Sequence, residues 1–357
     1  MARVVVLGGY GNFGARICRA LAVDSEFEVF AAGRSANRGL QLNLASPDFA
    51  ARLQQISPNI VIHCAGPFQN QDYRVARAAL AAGAHYIDLA DGRDFVARFG
   101  QSLDKEARAA GRLAVSGAST LPGLSSAVID SLARRFRDVE EVKIAIAPGQ
   151  RAPRGAATLV AVLGYCGRPF KWLSGGTWRD AWGWQELVRL RFAGFGTRWA
   201  AACDVPDLEL LPTRYPGLRT VEFRAALEFP VQHFALWLAA GLRRLGVPLP
   251  LERWALPLDR LASTMDALGG ERAGMLVSLT GTKPDGTRAC AEWHLTVDAL
   301  VGPEIPCLPA ILISRKLVRG ALVQRGAFAC MGLLLHADFE PEFARWGIAT
   351  AIEEHSA

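Results

Sequence analysis

Val4-Val5-Val6-Leu7-Gly8-Gly9-Tyr10-Gly11-Asn12-Phe13-Gly14 leads without interruption into Ala15 to Val23, whose apolar residues recur every three or four positions. The first part is a short β-rich apolar run and the last an amphipathic helix. Between them Gly9, Gly11 and Gly14 form a G-x-G-x-x-G. At such a strand-to-helix turn a pyrophosphate can approach the backbone, and a side chain at the middle glycine would block it. The pattern is weak alone and informative here because a strand precedes it and a helix follows.

The same alternation continues to about residue 145. Apolar runs at Glu28 to Ala32, Ile60 to Cys64, His85 to Leu89, Leu113 to Ser116 and Val142 to Ile146 read as strands. Helical spacing fills Tyr73 to Ala82, Phe95 to Ala110 and Leu124 to Phe136, with Gly83 and Gly111 as stops. Strand alternating with helix predicts a Rossmann-type, doubly wound parallel sheet of the α/β class. After Pro148-Gly149 the theme ends. Trp172, Trp178, Trp182 and Trp184 cluster, and Met275 to Thr282 and Thr287 to Val297 flank Lys283-Pro284-Asp285-Gly286 as a hairpin. We therefore expect a nucleotide-binding domain over 1–123, an α+β substrate or dimerisation domain over 124–308, and a segment 309–357, opened by the apolar helix Pro309 to Val323, returning to the first domain.

The 357 residues exceed what one core usually holds, and 51% hydrophobic against 21% charged residues excludes a disordered chain. The net charge of +6 is mild. Only Lys105, Lys143, Lys171, Lys283 and Lys316 are lysines, and no basic run is long enough for a nucleic-acid tail. Seven cysteines, widely spaced and without a C-x-x-C, suggest neither a disulfide framework nor a zinc ribbon, so a cytoplasmic location is expected. The six histidines show no local metal spacing, and no metal is expected. Val4 to Gly8 is too short for a signal peptide. Phe229 to Gly241 is too short to span a bilayer; a core or subunit-interface helix is the preferred reading of Phe229 to Leu251, and a helix lying on a membrane the alternative.

Cofactor choice is read at the end of the second strand. About 20 residues after the glycines, where an acid would hold a ribose 2′-hydroxyl, stand Arg34 and Ser35. A guanidinium and a hydroxyl can instead bind a 2′-phosphate, which favours NADP over NAD. Gly66, after the strand ending at Cys64, would let the cofactor pass close to the backbone. Asp91 or Ser119, each after a later strand, could face the nicotinamide, with capping or turn duty as the plain alternative.

Together these stretches resemble the saccharopine dehydrogenase-like family of NADP-dependent oxidoreductases. The resemblance rests on the glycine loop, on Ala65-Gly66-Pro67-Phe68 with Val75 to Gly83, on His85-Tyr86-Ile87-Asp88-Leu89-Ala90-Asp91-Gly92, and on Gly117 to Gly123. It covers about the first 130 residues. It implies a phosphate loop of Gly9, Tyr10, Gly11, Asn12, Phe13 and Gly14, 2′-phosphate contacts from Arg34 and Ser35, and Ala65, Gly66, Pro67 and Phe68 beside the nicotinamide. Relatives often carry Gly-Glu where this chain has Asp91-Gly92, so the resemblance carries no catalytic carboxylate onto this chain, and Asp91 is the catalytic candidate by its place after a strand alone. Arg179, Arg198 and Arg214 are candidates for holding substrate carboxylates. The expected protein is a homo-oligomeric enzyme that moves a hydride to or from a small or medium imine, amine or carbonyl substrate in the cleft between its domains. A nucleotide-bound regulator or scaffold without turnover is the rival expectation.

Overall fold

A computed structural model describes residues 1–35 and 39–356. By internal contacts the chain divides into two compact units, Met1–Ser126 with Glu304–Leu334, and Ala127–Pro303 with Leu335–Ala357.

In the first unit the strands are β1 (Ala2–Leu7), β2 (Phe27–Gly33), β3 (Leu40–Gln41), β4 (Ile60–His63), β5 (His85–Asp88) and β6 (Leu113–Ser116). Between them run α1 (Asn12–Ala22), α2 (Phe49–Ile56), α3 (Arg74–Ala81) and α4 (Arg93–Ala109). Val4 to Leu7 and Ile60 to Ile62 are buried along their whole length. This is why they read as continuous apolar runs: a parallel strand covered by helices on both faces has no wet side. Each fully buried Val, Leu or Ile contributes about 1.5–3 kcal/mol. α4 buries Phe95, Val96, Phe99, Leu103 and Ala107, the stripe its spacing predicts. Gly83 takes φ +70° just after α3, where Ala84 N–H donates to the Ala79 carbonyl and Gly83 N–H to that of Leu80. That is a left-handed helix stop, a conformation a Cβ disfavours.

The second unit contains β7 (Asp138–Ala147), β8 (Pro169–Ser174), β9 (Thr177–Trp182), β10 (Val188–Phe192), β11 (Gly196–Ala202), β12 (Thr220–Ala225), β13 (Arg272–Thr282) and β14 (Arg288–Asp298). Its helices are α5 (Ser125–Ala133), which begins at the end of the first unit, α6 (Ala156–Tyr165), α7 (Asp207–Arg214), α8 (Pro230–Arg244) and α9 (Ala255–Ser263). β13 and β14 form the expected hairpin, closed by a Lys283 N–H to Thr287 carbonyl bond with Asp285 Oδ1 accepting from the Thr287 amide and hydroxyl. The chain then supplies α10 (Leu308–Val318) and β15 (Gly326–Ala329) to the first unit, and ends in α11 (His336–Trp346) and β16 (Ala349–Ser356) in the second.

The first sheet runs β3-β2-β1-β4-β5-β6-β15 and is parallel throughout. Strand order reverses between β1 and β4, the switch point of a doubly wound sheet. The second sheet, β10-β11-β12-β7-β13-β14-β16 with β8 and β9 attached to β12, is mixed. Two expectations need correction. The strand around Val142 to Ile146 belongs to this second sheet, pairing parallel with β12 and antiparallel with β13; an apolar run reports burial, not which sheet it joins. The segment expected to return as a whole from 309 divides, because β16 pairs with β14 along Ala349–Ser356.

Candidate cofactor and active site

The three glycines of the loop play different steric parts. A Cβ on Gly14 would lie 2.3 Å from the Gly8 carbonyl oxygen, and one on Gly9 would lie 2.8 Å from Ala31 Cα. Both residues are buried, fixing α1 tightly against β1 and β2. Gly11 differs. It is exposed, has φ −79° and ψ 176° at the N-cap of α1, and a Cβ there would meet only the Gly8 oxygen, at 3.2 Å. Gly8 closes the switch point from the other side, since its Cβ would come within 3.0 Å of Ala65 N. No side chain caps α1, and its first turn carries no acid. An open face above the middle glycine, at an uncapped helix start with positive dipole, fits a pyrophosphate.

Tyr10 turns away from that face. Its hydroxyl donates to the Ala31 carbonyl at 2.9 Å, and its ring lies where a Cβ on Gly33 would stand, 2.9 Å away. The ring thus supports the end of β2 from which Arg34 and Ser35 emerge, both exposed. The Arg34 carbonyl accepts from Gln41 Nε2 at 3.2 Å. Among the described residues no carboxylate pairs with the Arg34 guanidinium. Asn12 and Phe13 are half-buried in the first turn of α1, where the Phe13 carbonyl accepts a weak bond from Cys307 Sγ at 3.6 Å.

Beyond β4, Gln71 Nε2 donates to the carbonyls of Ala65 (2.8 Å) and Pro67 (2.9 Å). This clamp sets the loop holding Ala65, Gly66 and Pro67, the first two half-buried and the last exposed. Phe68 is placed otherwise: its ring is buried edge-on to His63 at 4.9 Å and against Phe95 at 5.5 Å, so only its backbone belongs to the loop surface. The loop after β5 packs on this one, a Cβ on Gly92 falling 3.3 Å from Gln69 N. Gln69 Nε2 donates to Asp91 Oδ1 at 3.1 Å. Asp91 itself stays open to solvent, while the protein mass around it raises its carboxyl above the usual range, opposed by its own backbone amide and by Gln69. Ser119, half-buried, begins the turn after β6, accepting at its carbonyl from Leu124 N–H.

Asp88 had no role assigned to it from sequence. It is wholly buried at the end of β5, and its Oδ1 accepts from Gly117 N–H (2.8 Å), Ser116 Oγ (2.9 Å) and Ala90 N–H (3.0 Å). Burial nevertheless pushes the carboxyl up to about 6, opposed by these bonds and by the Tyr86 hydroxyl, and Oδ2 has no hydrogen-bond partner among the described residues. That hydroxyl lies 3.1 Å from His63 Nδ1, and burial pushes the His63 ring down to about 4, leaving it neutral at pH 7. A buried line of polar groups thus ties the ends of β4, β5 and β6 together beneath the loops that carry Gly66 and Asp91.

The arginines proposed for substrate carboxylates are mostly occupied. Arg214 pairs with Asp130, and Arg198 donates to the Pro148 carbonyl and stacks 4.6 Å over Phe195; Arg179 is exposed on β9. Of the tryptophan cluster, Trp172 and Trp184 are core residues and Trp178 is exposed. Local spacing showed no metal site, yet cross-strand register brings Glu292, Glu353 and His355 within 4.8 Å of one another by their donor atoms. Arg191 already pairs with Glu353, so an edge ion-pair cluster accounts for them.

A Rossmann-type unit with an open glycine turn at its switch point, joined in sequence to a mixed-sheet unit, defines the class of fold. Solved structures share it over the whole chain. Saccharopine dehydrogenase (L-Glu forming) from Saccharomyces cerevisiae matches with a TM-score of 0.67 at 12% identity, covering 99% of this chain and 100% of that one. Homospermidine synthase from Legionella pneumophila, solved with NAD, matches at 0.65 and 10% identity over 100% of this chain and 92% of that one. A mutant meso-DAP dehydrogenase from Clostridium tetani, solved with DAP, matches at 0.51 and 12%, covering 97% and 99%. No protein-family model and no curated protein sequence matches the chain. The fold expected from the resemblance is therefore the fold observed.

Proposed function

We propose that this protein is an NADP-dependent oxidoreductase acting on a small or medium substrate of imine, amine or carbonyl type. The observation that carries the reading is Gly11, whose missing Cβ leaves open space at the start of α1 while the flanking glycines are closed by backbone contacts. Bound dinucleotide would supply or accept the hydride. The chain's own part is to hold the pyrophosphate at Gly9 to Gly14, to meet a 2′-phosphate with Arg34 and Ser35, and to present the Gly66 loop and Asp91 beside the reacting ring. Asp91, open to solvent with its carboxyl raised, is suited to hold and pass a proton at Oδ2, the oxygen Gln69 leaves unoccupied. Asp88 and His63 are too buried to meet a substrate and position those loops instead. A homo-oligomer in a reducing, cytoplasmic setting belongs to the same reading, in keeping with seven free thiols.

Calorimetric titration with NADPH and NADH tests the cofactor. NADPH should bind more tightly, and Arg34→Ala should remove about 1.5–3 kcal/mol of that preference, roughly tenfold or more; equal affinities for the two in the parent would end the NADP assignment. Oxidation of NADPH across a panel of imines, keto acids and enones tests turnover. With a substrate in hand, Asp91→Asn should lower kcat at least a hundredfold with little change in NADPH affinity. An unchanged kcat would return Asp91 to a turn-forming role.

A further inference from the structure

On α8 and its C-cap, Val231, Phe234, Leu238, Leu242 and Leu245 recur at intervals of three or four, and all five are exposed, while His233 and Ala240 face inward. The amphipathic helix is thus turned with its apolar stripe to solvent, the reverse of what a free-standing globular unit does. The exposure continues through Trp254, just before α9, and through Leu256, Leu258 and Leu261 on it. Of the nineteen exposed large apolar side chains among the described residues, twelve fall within residues 231–268. Scattered exposed leucines are ordinary; a patch concentrated like this marks a contact surface.

Charge selects the partner. The acids of the stretch are already paired, most of them by arginines outside it: Glu252 pairs with Arg243 (3.3 Å) and Arg168 (3.6 Å), and Arg154 holds both Asp259 and Asp266 at 2.8 Å. Arg244, Arg253 and Arg260 are exposed and have no carboxylate partner among the described residues; Arg244 lies 4.9 Å over the Trp182 ring. The patch is therefore apolar with surplus positive charge and tryptophans beside it. A second copy meeting it across a twofold axis would set arginines against arginines with no free acid to answer them. α8 spans 15 residues, and no helix among the described residues is long and apolar enough to cross a membrane.

We propose that the α8–α9 face docks on a lipid bilayer bearing anionic headgroups, with the leucines and tryptophans at the acyl boundary and Arg244, Arg253 and Arg260 at the phosphates. The binding is peripheral, and it stands or falls independently of the oxidoreductase reading.

The test is co-sedimentation of the full chain with vesicles of phosphatidylcholine alone or mixed with phosphatidylglycerol. Binding is expected to the anionic vesicles and to weaken with salt. Leu238→Glu with Leu245→Glu should abolish it without lowering Tm, since Leu245 is 82% exposed and Leu238 57%; Leu256→Glu with Leu261→Glu serves as an independent pair should the first fail to fold. Arg253→Gln with Arg260→Gln should weaken it by about 25-fold, roughly fivefold for each arginine. Failure to bind either vesicle overturns the proposal, and equal binding to both overturns its choice of an anionic surface. Self-association abolished by the Leu→Glu pairs, without vesicle binding, would assign the face to a second copy and overturn the proposal as well.

Discussion

At residue scale, Gly11 can be altered with little cost to the fold. Its φ of −79° and ψ of 176° lie where a β-branched residue is comfortable, and only one atom crowds the added Cβ. Gly11→Val should leave Tm within a few degrees of the parent and weaken NADPH binding at least a hundredfold, as calorimetry with a thermal melt would show; retained binding would contradict the phosphate role. Gly14→Ala is the contrasting case, with its Cβ 2.3 Å from a backbone oxygen, and should destabilise the fold itself. Asp88 makes a pH prediction. A carboxyl raised from 3.8 to about 6 holds its proton more tightly in the folded state, so its contribution is favourable at low pH and is lost as pH rises from about 4 through 6. The shift of about two units corresponds to roughly 3 kcal/mol. His63, lowered to about 4, acts oppositely, its contribution being present above 6.5 and lost as pH falls towards 4. Asp88→Asn keeps an oxygen for Ser116 and Gly117 but removes the charge, so its stability relative to the parent should climb between pH 4 and 7. Parallel melting curves for the two proteins across that range would show that Asp88 carries no buried charge.

At the scale of elements, what was legible in the sequence was local. The glycine turn, its strand and its helix lie within twenty residues, and their spacing states their geometry directly. The buried runs of β1, β4 and β6 and the stripe of α4 were readable for the same reason. Asp88 was not, because its partners Ser116 and Gly117 are 28 and 29 residues away and only the β5–β6 neighbourhood joins them. Glu292, Glu353 and His355 needed the β14–β16 register. β3 is two residues long, too short to carry a period. Nor does any pattern distinguish the Gln71 clamp from an ordinary polar loop residue, although it fixes the loop that the cofactor reading requires. Gln71→Ala frees two carbonyls without emptying a core position. It should raise the Kd for NADPH several-fold while lowering Tm only slightly, and Gln71→Glu, which cannot donate at neutral pH, should behave alike. Unchanged affinity in both would show that the loop is held by its packing alone.

At the scale of the whole molecule, the two units carry separate cores and unequal reporters. Every one of the nine tryptophans, from Trp172 to Trp346, falls in the unit made of Ala127–Pro303 and Leu335–Ala357, and none in the unit that holds the glycine turn. Tryptophan emission therefore follows unfolding of the mixed-sheet unit, whereas circular dichroism follows both. A ligand that binds only folded protein stabilises the unit it contacts by about 2.7 kcal/mol at a hundred times its Kd. If the dinucleotide is held by the first unit's own residues, and each unit melts as its own cooperative body, NADPH should raise a transition seen by circular dichroism and leave the tryptophan-detected midpoint unchanged. Gly11→Val should abolish that rise. A tryptophan midpoint that climbs in step with the other signal would contradict independent melting. Repeating the scan with Gly11→Val would then show whether the coupling runs through the nucleotide, because a link already present in the free protein would keep the two signals together in the variant without any ligand shift.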